Sequence, residues 1–260
     1  MQAHHSILKE KSCPRPSDTS ICFDAVHFGY DAGYQVLRGI SFEIGAGQMV
    51  ALAGAAGSGK RTCARLLQGL GAAEAGAVRI GGVDVRDLPA PALDNLMAIV
   101  PRDCRLAHHS LDEIFKQTKP DTTRLDMEEA ARQARIHDII LDLPEGYDAP
   151  CDVWRAHLTA GQRQRIALAC AVLGQAPILI LDEATAGLDA GDLAAWQAAL
   201  ADIRRGRTIL MLSHRLSTLK MADAIVVLEQ GVVVEEGAHA PLVAWNDRYA
   251  RLIASGEVRG

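Results

Sequence analysis

Apolar residues recur along the chain with two different patterns, and the patterns predict different elements. ISFEI at 40–44 alternates apolar and polar residues, as a half-buried antiparallel strand does; with ICFDAVHF at 21–28 it predicts a small β subdomain near the start. MVALAG, MAIVP, ILILDE and TILMLSH are instead nearly continuous apolar runs, the pattern of strands buried on both faces of a parallel sheet. Each run ends in a polar or glycine-rich turn. In an open α/β sheet ligands bind beyond the carboxyl ends of parallel strands, so these four turns are expected to converge on one site.

Between Pro101 and His157 the pattern changes. DMEEAARQARIHDIILDL at 126–143 carries apolar residues such as Ala130, Ala134 and Ile139 at helical steps with charges between them, and Pro144, Gly146 and Pro150 then break it. This predicts a helical insert of roughly 60 residues, bounded to within a few residues. The expected organisation is a lead-in or linker over 1–20 and one domain over 21–260, with the helical subdomain at about 102–160. No internal repeat or low-complexity tract interrupts it.

Composition narrows the classes. At 260 residues and 49% hydrophobic content the chain has ample core-forming material, while 23% charged residues and a net charge of -5 give no basic field for nucleic acid or anionic lipid. Cys13, Cys22, Cys63, Cys104, Cys151 and Cys170 are scattered without a C-x-x-C pair, as in a cytosolic protein with reduced thiols. The adjacent pairs His4-His5 and His108-His109 are poorly placed to share a metal. No apolar run approaches the roughly 18 to 20 residues that cross a bilayer. Residues 1–20 lack the pattern of a secretory leader. The expectation is a soluble chain, unless another chain or an upstream segment ties it to a membrane.

The first chemistry-bearing stretch is MVALAGAAGSGKRT, beginning at Met49. Gly54, Gly57, Ser58 and Gly59 form a loop whose backbone N–H groups can turn towards an anion, the helix beginning near Lys60 adds its positive end, and Lys60 adds a point charge. A glycine-rich turn can also be a mere tight connection; a lysine at this offset after an apolar strand favours the phosphate loop. ILILDE ends in Asp182 and Glu183, where one carboxylate can order a metal through water and the other can accept a proton from an attacking water. The same pair also serves in ordinary caps and turns. LTAGQRQRIALACAVL at 158–173 has a small-residue turn at Thr159 to Gly161, followed by Ile166, Ala169, Cys170 and Leu173 at helical spacing, so it presents a helix N-terminus.

Taken in order, the phosphate loop, helical insert, LTAGQRQR, ILILDEAT, AGLD and SHRLST closely resemble the nucleotide-binding domain of ABC transporters, over about Phe23 to Ile253. The resemblance implies an α/β fold: a P-loop NTPase core with a mostly parallel sheet, an N-terminal antiparallel β subdomain and a helical subdomain insert. It implies ATP as ligand, with adenine on Tyr30, phosphates on Lys60 and the loop amides, metal on Asp182, catalytic water on Glu183 and γ-phosphate on His214. LTAGQ, with Thr159, Gly161 and Gln162, resembles the family's signature turn, and Asp189 ends a segment that looks like its D-loop. Two such domains would sandwich two ATPs, each held by one chain's phosphate loop and the other's signature turn. The ending HRLSTLKMADAIVVLEQGVVVEEGAH resembles the exporter branch.

Departures from the family pattern complicate this. Arg61 stands where the family has the Ser or Thr that ligates Mg²⁺, and Arg102 falls on the glutamine that also ligates it. Thr62 cannot stand in, since the next helical residue points about 100° away; the resemblance puts it near the α-phosphate. Two guanidinium groups match the formal charge of Mg²⁺ and pair well with phosphate, but they cannot reproduce its octahedral coordination. Arg61 and Arg102 are therefore expected either to neutralise the phosphates directly, or to face solvent or pair with Asp103 or Asp182. Val153-Trp154-Arg155 and Cys170 replace further family residues.

The expected function is the ATP-binding subunit or domain of an exporter-type ABC transporter, a degenerate half that binds ATP with weak or absent Mg²⁺ and hydrolyses it poorly. It would present its signature turn to a second nucleotide-binding domain, in a homo- or heterodimer beneath a transmembrane domain at the cytoplasmic face of the membrane. The alternatives are a fully active ABC ATPase subunit and a nucleotide-gated scaffold without a transport role.

Overall fold

Two kinds of strand divide the chain into two sheets in the computed structural model, which describes residues 15–31, 33–102 and 110–258. The first sheet is antiparallel, in the order β2-β1-β4-β5, from β1 (Ile21–Asp31), β2 (Tyr34–Ile44), β4 (Ala75–Ile80) and β5 (Val83–Asp84). Alternation puts Ile40, Phe42 and Ile44 of β2 on the buried side, and Phe23 stacks on its cross-strand partner Phe42 with ring centroids 4.5 Å apart.

The second sheet has the order β10-β9-β3-β8-β7-β6, from β3 (Met49–Ala53), β6 (Met97–Val100), β7 (Ile178–Asp182), β8 (Thr208–Leu212), β9 (Ala224–Glu229) and β10 (Val232–Gly237). All its pairings are parallel except β10 with β9. Successive residues of each central strand enter different cores. Met49, Ala51, Leu179, Leu181, Ile209 and Met211 face the helical layer; Val50, Leu52, Ile178, Ile180, Leu210 and Leu212 face the antiparallel sheet. The continuous apolar runs follow from this, because neither face is left to water. MAIVP departs from the expectation: β6 is the edge of the sheet and its Ile99 is 42% exposed. An apolar run does not distinguish a central strand from an edge strand. β9 and β10 form a hairpin whose turn, Gln230-Gly231, has φ of 47° and 78°.

Helices α1 (Lys60–Leu67) and α2 (Ala90–Leu96) pack with the antiparallel sheet. The opposite face carries α3 (Leu111–Thr118), α4 (Arg124–Gln133), α5 (His137–Leu141), α6 (Cys151–His157), α7 (Ala160–Leu173) and α8 (Ala190–Ile203). The chain closes with α9 (Leu216–Leu219), α10 (His239–Trp245) and α11 (Arg248–Ala254). Capping boxes at Ser110/Glu113, Thr123/Asp126 and Thr159/Gln162 start α3, α4 and α7, each satisfying backbone N–H groups that a helix start leaves without partners.

The periodicity over 126–143 is interrupted. Arg135 has φ 55°, which ends α4 and resets the phase, so Ile136 and Ile140 are fully buried and Ile139 only partly. Ahead of Ile21, Ser17 N–H and Oγ both donate to the Gly81 carbonyl, and the Thr19 and Thr208 hydroxyls lie 2.7 Å apart. Residues 1–14, including Cys13 and the His4-His5 pair, lie outside the described residues, as do Asp103, Cys104 and the His108-His109 pair.

Trp154, in a segment that departs from the family pattern, is fully buried with Leu168 and Tyr147 in the helical core. Trp154→Ala is expected to lower unfolding free energy by about 3–5 kcal/mol, through lost transfer energy and a cavity, in a denaturant titration.

Candidate nucleotide-binding site

The loop between β3 and α1 is shaped by glycines that other residues could not replace. Gly54 has φ 139°, and a Cβ there would lie 2.1 Å from the Leu228 carbonyl oxygen. Gly59 caps α1 at φ 106°, where a Cβ would lie 2.5 Å from Leu37 Cδ2. Gly57 is also left-handed, at φ 80°. Lys60, buried at the first position of α1, donates from Nζ to the carbonyls of Gly54 at 2.6 Å and Ala55 at 2.8 Å, and to Ser58 Oγ at 3.3 Å. Burial holds its ammonium below the usual lysine range, with the Glu183 carboxylate opposing that shift. A desolvated cation held on the carbonyls of a glycine-shaped loop, at the start of a helix, suits an anion such as phosphate. Burial pushes the neighbouring Cys63 thiol up to about 12, so that cysteine packs rather than reacts.

The ends of β7 and β8 meet this loop, and the second cluster forms round Glu183. Glu183 lies in the left-handed region at φ 52°, a conformation that costs a non-glycine residue about 1 kcal/mol or more and concentrates at functional sites. Its side chain is 14% exposed. Oε2 accepts from Arg102 Nη1 at 2.8 Å and from Arg61 Nη2 at 3.3 Å, while Arg61 Nε donates to Asp182 Oδ1 at 3.1 Å. His214 Nδ1 stands 3.9 Å from Glu183 Oε1. The two arginines therefore sit on the carboxylates that were expected to serve metal and water.

Asp182 and Glu183 both face guanidinium groups. Both acidic side chains already accept guanidinium N–H bonds, and among the described residues no three His, Cys, Asp or Glu side chains converge as a ligand set.

Tyr30 stands beside α1 with its ring 53% exposed. Phe28 packs edge-on against it at 5.0 Å, the Arg65 guanidinium lies 5.8 Å from its centroid, and its hydroxyl is 3.2 Å from Thr62 Oγ1. A half-exposed tyrosine ring offers a stacking surface. The Thr62 hydroxyl is thus engaged with Tyr30.

The remaining sequence-predicted residues gather at the starts of α7 and α8. Thr159 Oγ1 accepts from Gln162 N, and Gln162 Oε1 accepts from Thr159 N. Gly161 N donates to Asp192 Oδ2 at 3.3 Å, and a Cβ on Gly161 would lie 2.3 Å from Asp192 Cβ. Asp189 caps α8 by accepting from Asp192 N at 2.8 Å. These four residues form one group, and Lys60, Arg61, Arg102, Asp182, Glu183 and His214 another.

Sequence reasoning missed three residues that support these groups. Arg215 donates to the carbonyls of Thr185 and Leu188, fastening the turn that leads to Asp189. Asp192 receives the Gly161 amide. Gln164, buried on α7, bonds the Pro101 and Arg102 carbonyls. Each reads in sequence as an ordinary polar residue on or beside a helix; the signal for Gln164 is only its nearness to Gln162.

The profile of the ABC transporter family matches residues 37–186. The chain belongs to the ABC transporter family. It is an ATP-binding domain of the exporter type. Over 94% of its length it superposes on 42% of a chain of a bacterial Atm1-family ABC exporter with ATP bound, with TM-score 0.87 and 34% identity. It is 42% identical over 238 residues to the mycobactin import ATP-binding/permease protein IrtA of Mycobacterium tuberculosis, covering 92% of this chain and 28% of that protein. It is equally 42% identical over 238 residues to an ATP-dependent lipid A-core flippase of Albidiferax ferrireducens, covering 91% of this chain and 41% of that protein. The ABC chain thus spans well under half the length of these curated relatives, and no helix among its described residues is long and apolar enough to cross a membrane.

Lys60→Ala removes a charge-assisted contact and is expected to weaken ATP binding about 10- to 150-fold, measured by fluorescence titration of the purified chain.

Proposed function

We propose that this chain is the ATP-binding part of an exporter-architecture ABC transporter, and that its own site holds ATP with two arginines in place of metal ligands and hydrolyses it slowly. The observation that carries this reading is the convergence of Arg61 and Arg102 on Asp182 and Glu183.

The chemistry follows from what those groups are doing. Glu183 would act as a base by accepting a proton from water, but its Oε2 already receives two guanidinium N–H bonds. Only Oε1, on the His214 side, is left towards a water. The arginine side chains are 55% and 51% exposed, so an arriving triphosphate can reach both guanidinium groups and compete with the carboxylates for them. Arginine pairs with phosphate oxygens in bidentate fashion. Lys60 and the loop amides hold the phosphates, Tyr30 stacks the adenine, and the arginines supply the charge that a divalent ion supplies elsewhere.

The turn at Thr159, Gly161 and Gln162, with Asp189 beside it, serves a second nucleotide-binding domain whose ATP it completes. A transmembrane domain on the same or another polypeptide, at the cytoplasmic face, uses the resulting dimer. The relatives include an import protein, a flippase and an exporter, so the transported substrate and its direction belong to parts outside this chain.

ATP affinity and turnover, each with Mg²⁺ and with excess chelator, test this in the purified chain beside Arg61→Ser/Arg102→Gln. We expect chelator to change the wild-type Kd by less than about threefold, and the double variant's by at least about tenfold. Strictly Mg²⁺-dependent binding with turnover above about 1 per second in the wild type would restore the chain as a working ATPase.

A further inference from the structure

Arg102 reaches Glu183 from a short turn beyond β6, and that turn is held from behind by the helix carrying the signature residues. Gln164 on α7 is 4% exposed. Its Nε2 donates to the Pro101 carbonyl at 2.8 Å and to the Arg102 carbonyl at 2.6 Å, so both amide N–H groups are used on two successive backbone oxygens. Among the described residues its Oε1 is buried with no hydrogen-bond partner. Leaving a buried acceptor unmade is costly, so the side chain is held in place by its donors, and what those donors hold is the backbone of Arg102. Gln164 lies five residues beyond Thr159, about one and a half helical turns. The capped start of α7 and the turn bearing Arg102 are therefore fastened into one unit.

We propose that Gln164 is a positioning residue: it seats Arg102 on Glu183 and makes the Arg102–Glu183 pair follow any displacement of α7. The second half rests on the reading that the Thr159–Gln162 turn engages a partner's nucleotide, because such engagement is what would displace α7. One helix then reports the state of the neighbouring site to the acidic residue of this one. Gln164 itself touches neither nucleotide nor reacting atoms.

The test uses Gln164→Met, which keeps length and loses both donors, alone and with Arg102→Gln, in the purified full chain. The readout is the ratio of ATP Kd in chelator to ATP Kd in Mg²⁺. Positioning predicts that Gln164→Met raises this ratio about fivefold or more, as Arg102→Gln does, and that the double variant goes no further. A lowered melting temperature with an unchanged ratio, where Arg102→Gln does change it, would mean a purely structural residue and overturn the proposal.

If Arg102→Gln alone leaves the ratio unchanged, the metal-substitution reading has failed, and a thermal double-mutant cycle of Gln164→Met with Glu183→Gln decides the positioning claim by itself. Gln164 and Glu183 share no contact among the described hydrogen bonds, so losses that fall short of additivity by about 2 °C or more support coupling through Arg102, and additive losses overturn it. Where Gln164→Met does not fold, Gln164→Asn, which keeps both donors but withdraws them by one methylene, is read in the same assays.

Discussion

The Glu183 side chain is 14% exposed, and a carboxylate withdrawn that far from water is tenable only where donors meet it. Its position follows from the sheet: β7 ends at Asp182, Glu183 N donates to the Leu212 carbonyl at the end of β8, and the reversal that follows forces φ positive. Once the acid is fixed there, its surroundings must supply positive charge. Arg61 comes from α1, Arg102 from the turn after β6, and Lys60 lies near enough for the carboxylate to act on its protonation. Phosphate loop, strand ends and the turn beyond β6 are thereby bound into one electrostatic unit.

Such convergence needs parallel strands with the same end forward. β6, β7, β8 and β3 run side by side, so their carboxyl ends open on one edge of the sheet, while residues behind that edge divide between two cores. The cores make the edge rigid. The groups on it are set by strand register as well as by loops.

Much of this was legible in the sequence because the responsible constraints are local. The left-handed glycines of the phosphate loop, the apolar run ending in Asp182-Glu183 and the capping pair Thr159/Gln162 each leave a short, readable pattern. The nonlocal features did not. Nothing in MAIVP indicates that its strand is an edge, and the reset at Arg135 that buries Ile140 in place of Ile139 depends on a single backbone angle. For Arg61 and Arg102, residue type pointed equally to phosphate or carboxylate, and which partner each meets depends on residues 121 and 81 positions away in sequence. Gln164 was invisible for the same reason: its role lies in two carbonyls of another element.

The two arginines make best physical sense together. With either alone, one carboxylate of the Asp182-Glu183 pair would lack a guanidinium partner or share one at longer range, and a divalent ion would remain the natural way to complete the site. With both present each acid has a guanidinium partner, and Lys60 stays on the carbonyls of the loop. A metal ion orders waters around itself as well as supplying charge, and guanidinium groups supply the charge without the ordered waters. Binding needs chiefly the charge, whereas in-line attack also needs a placed water. On the proposed function, the same pair of substitutions would preserve nucleotide affinity while removing what hydrolysis depends on. In the proposed two-domain arrangement this chain's site would then be a long-lived clamp, with turnover at the site its α7 would complete on the partner.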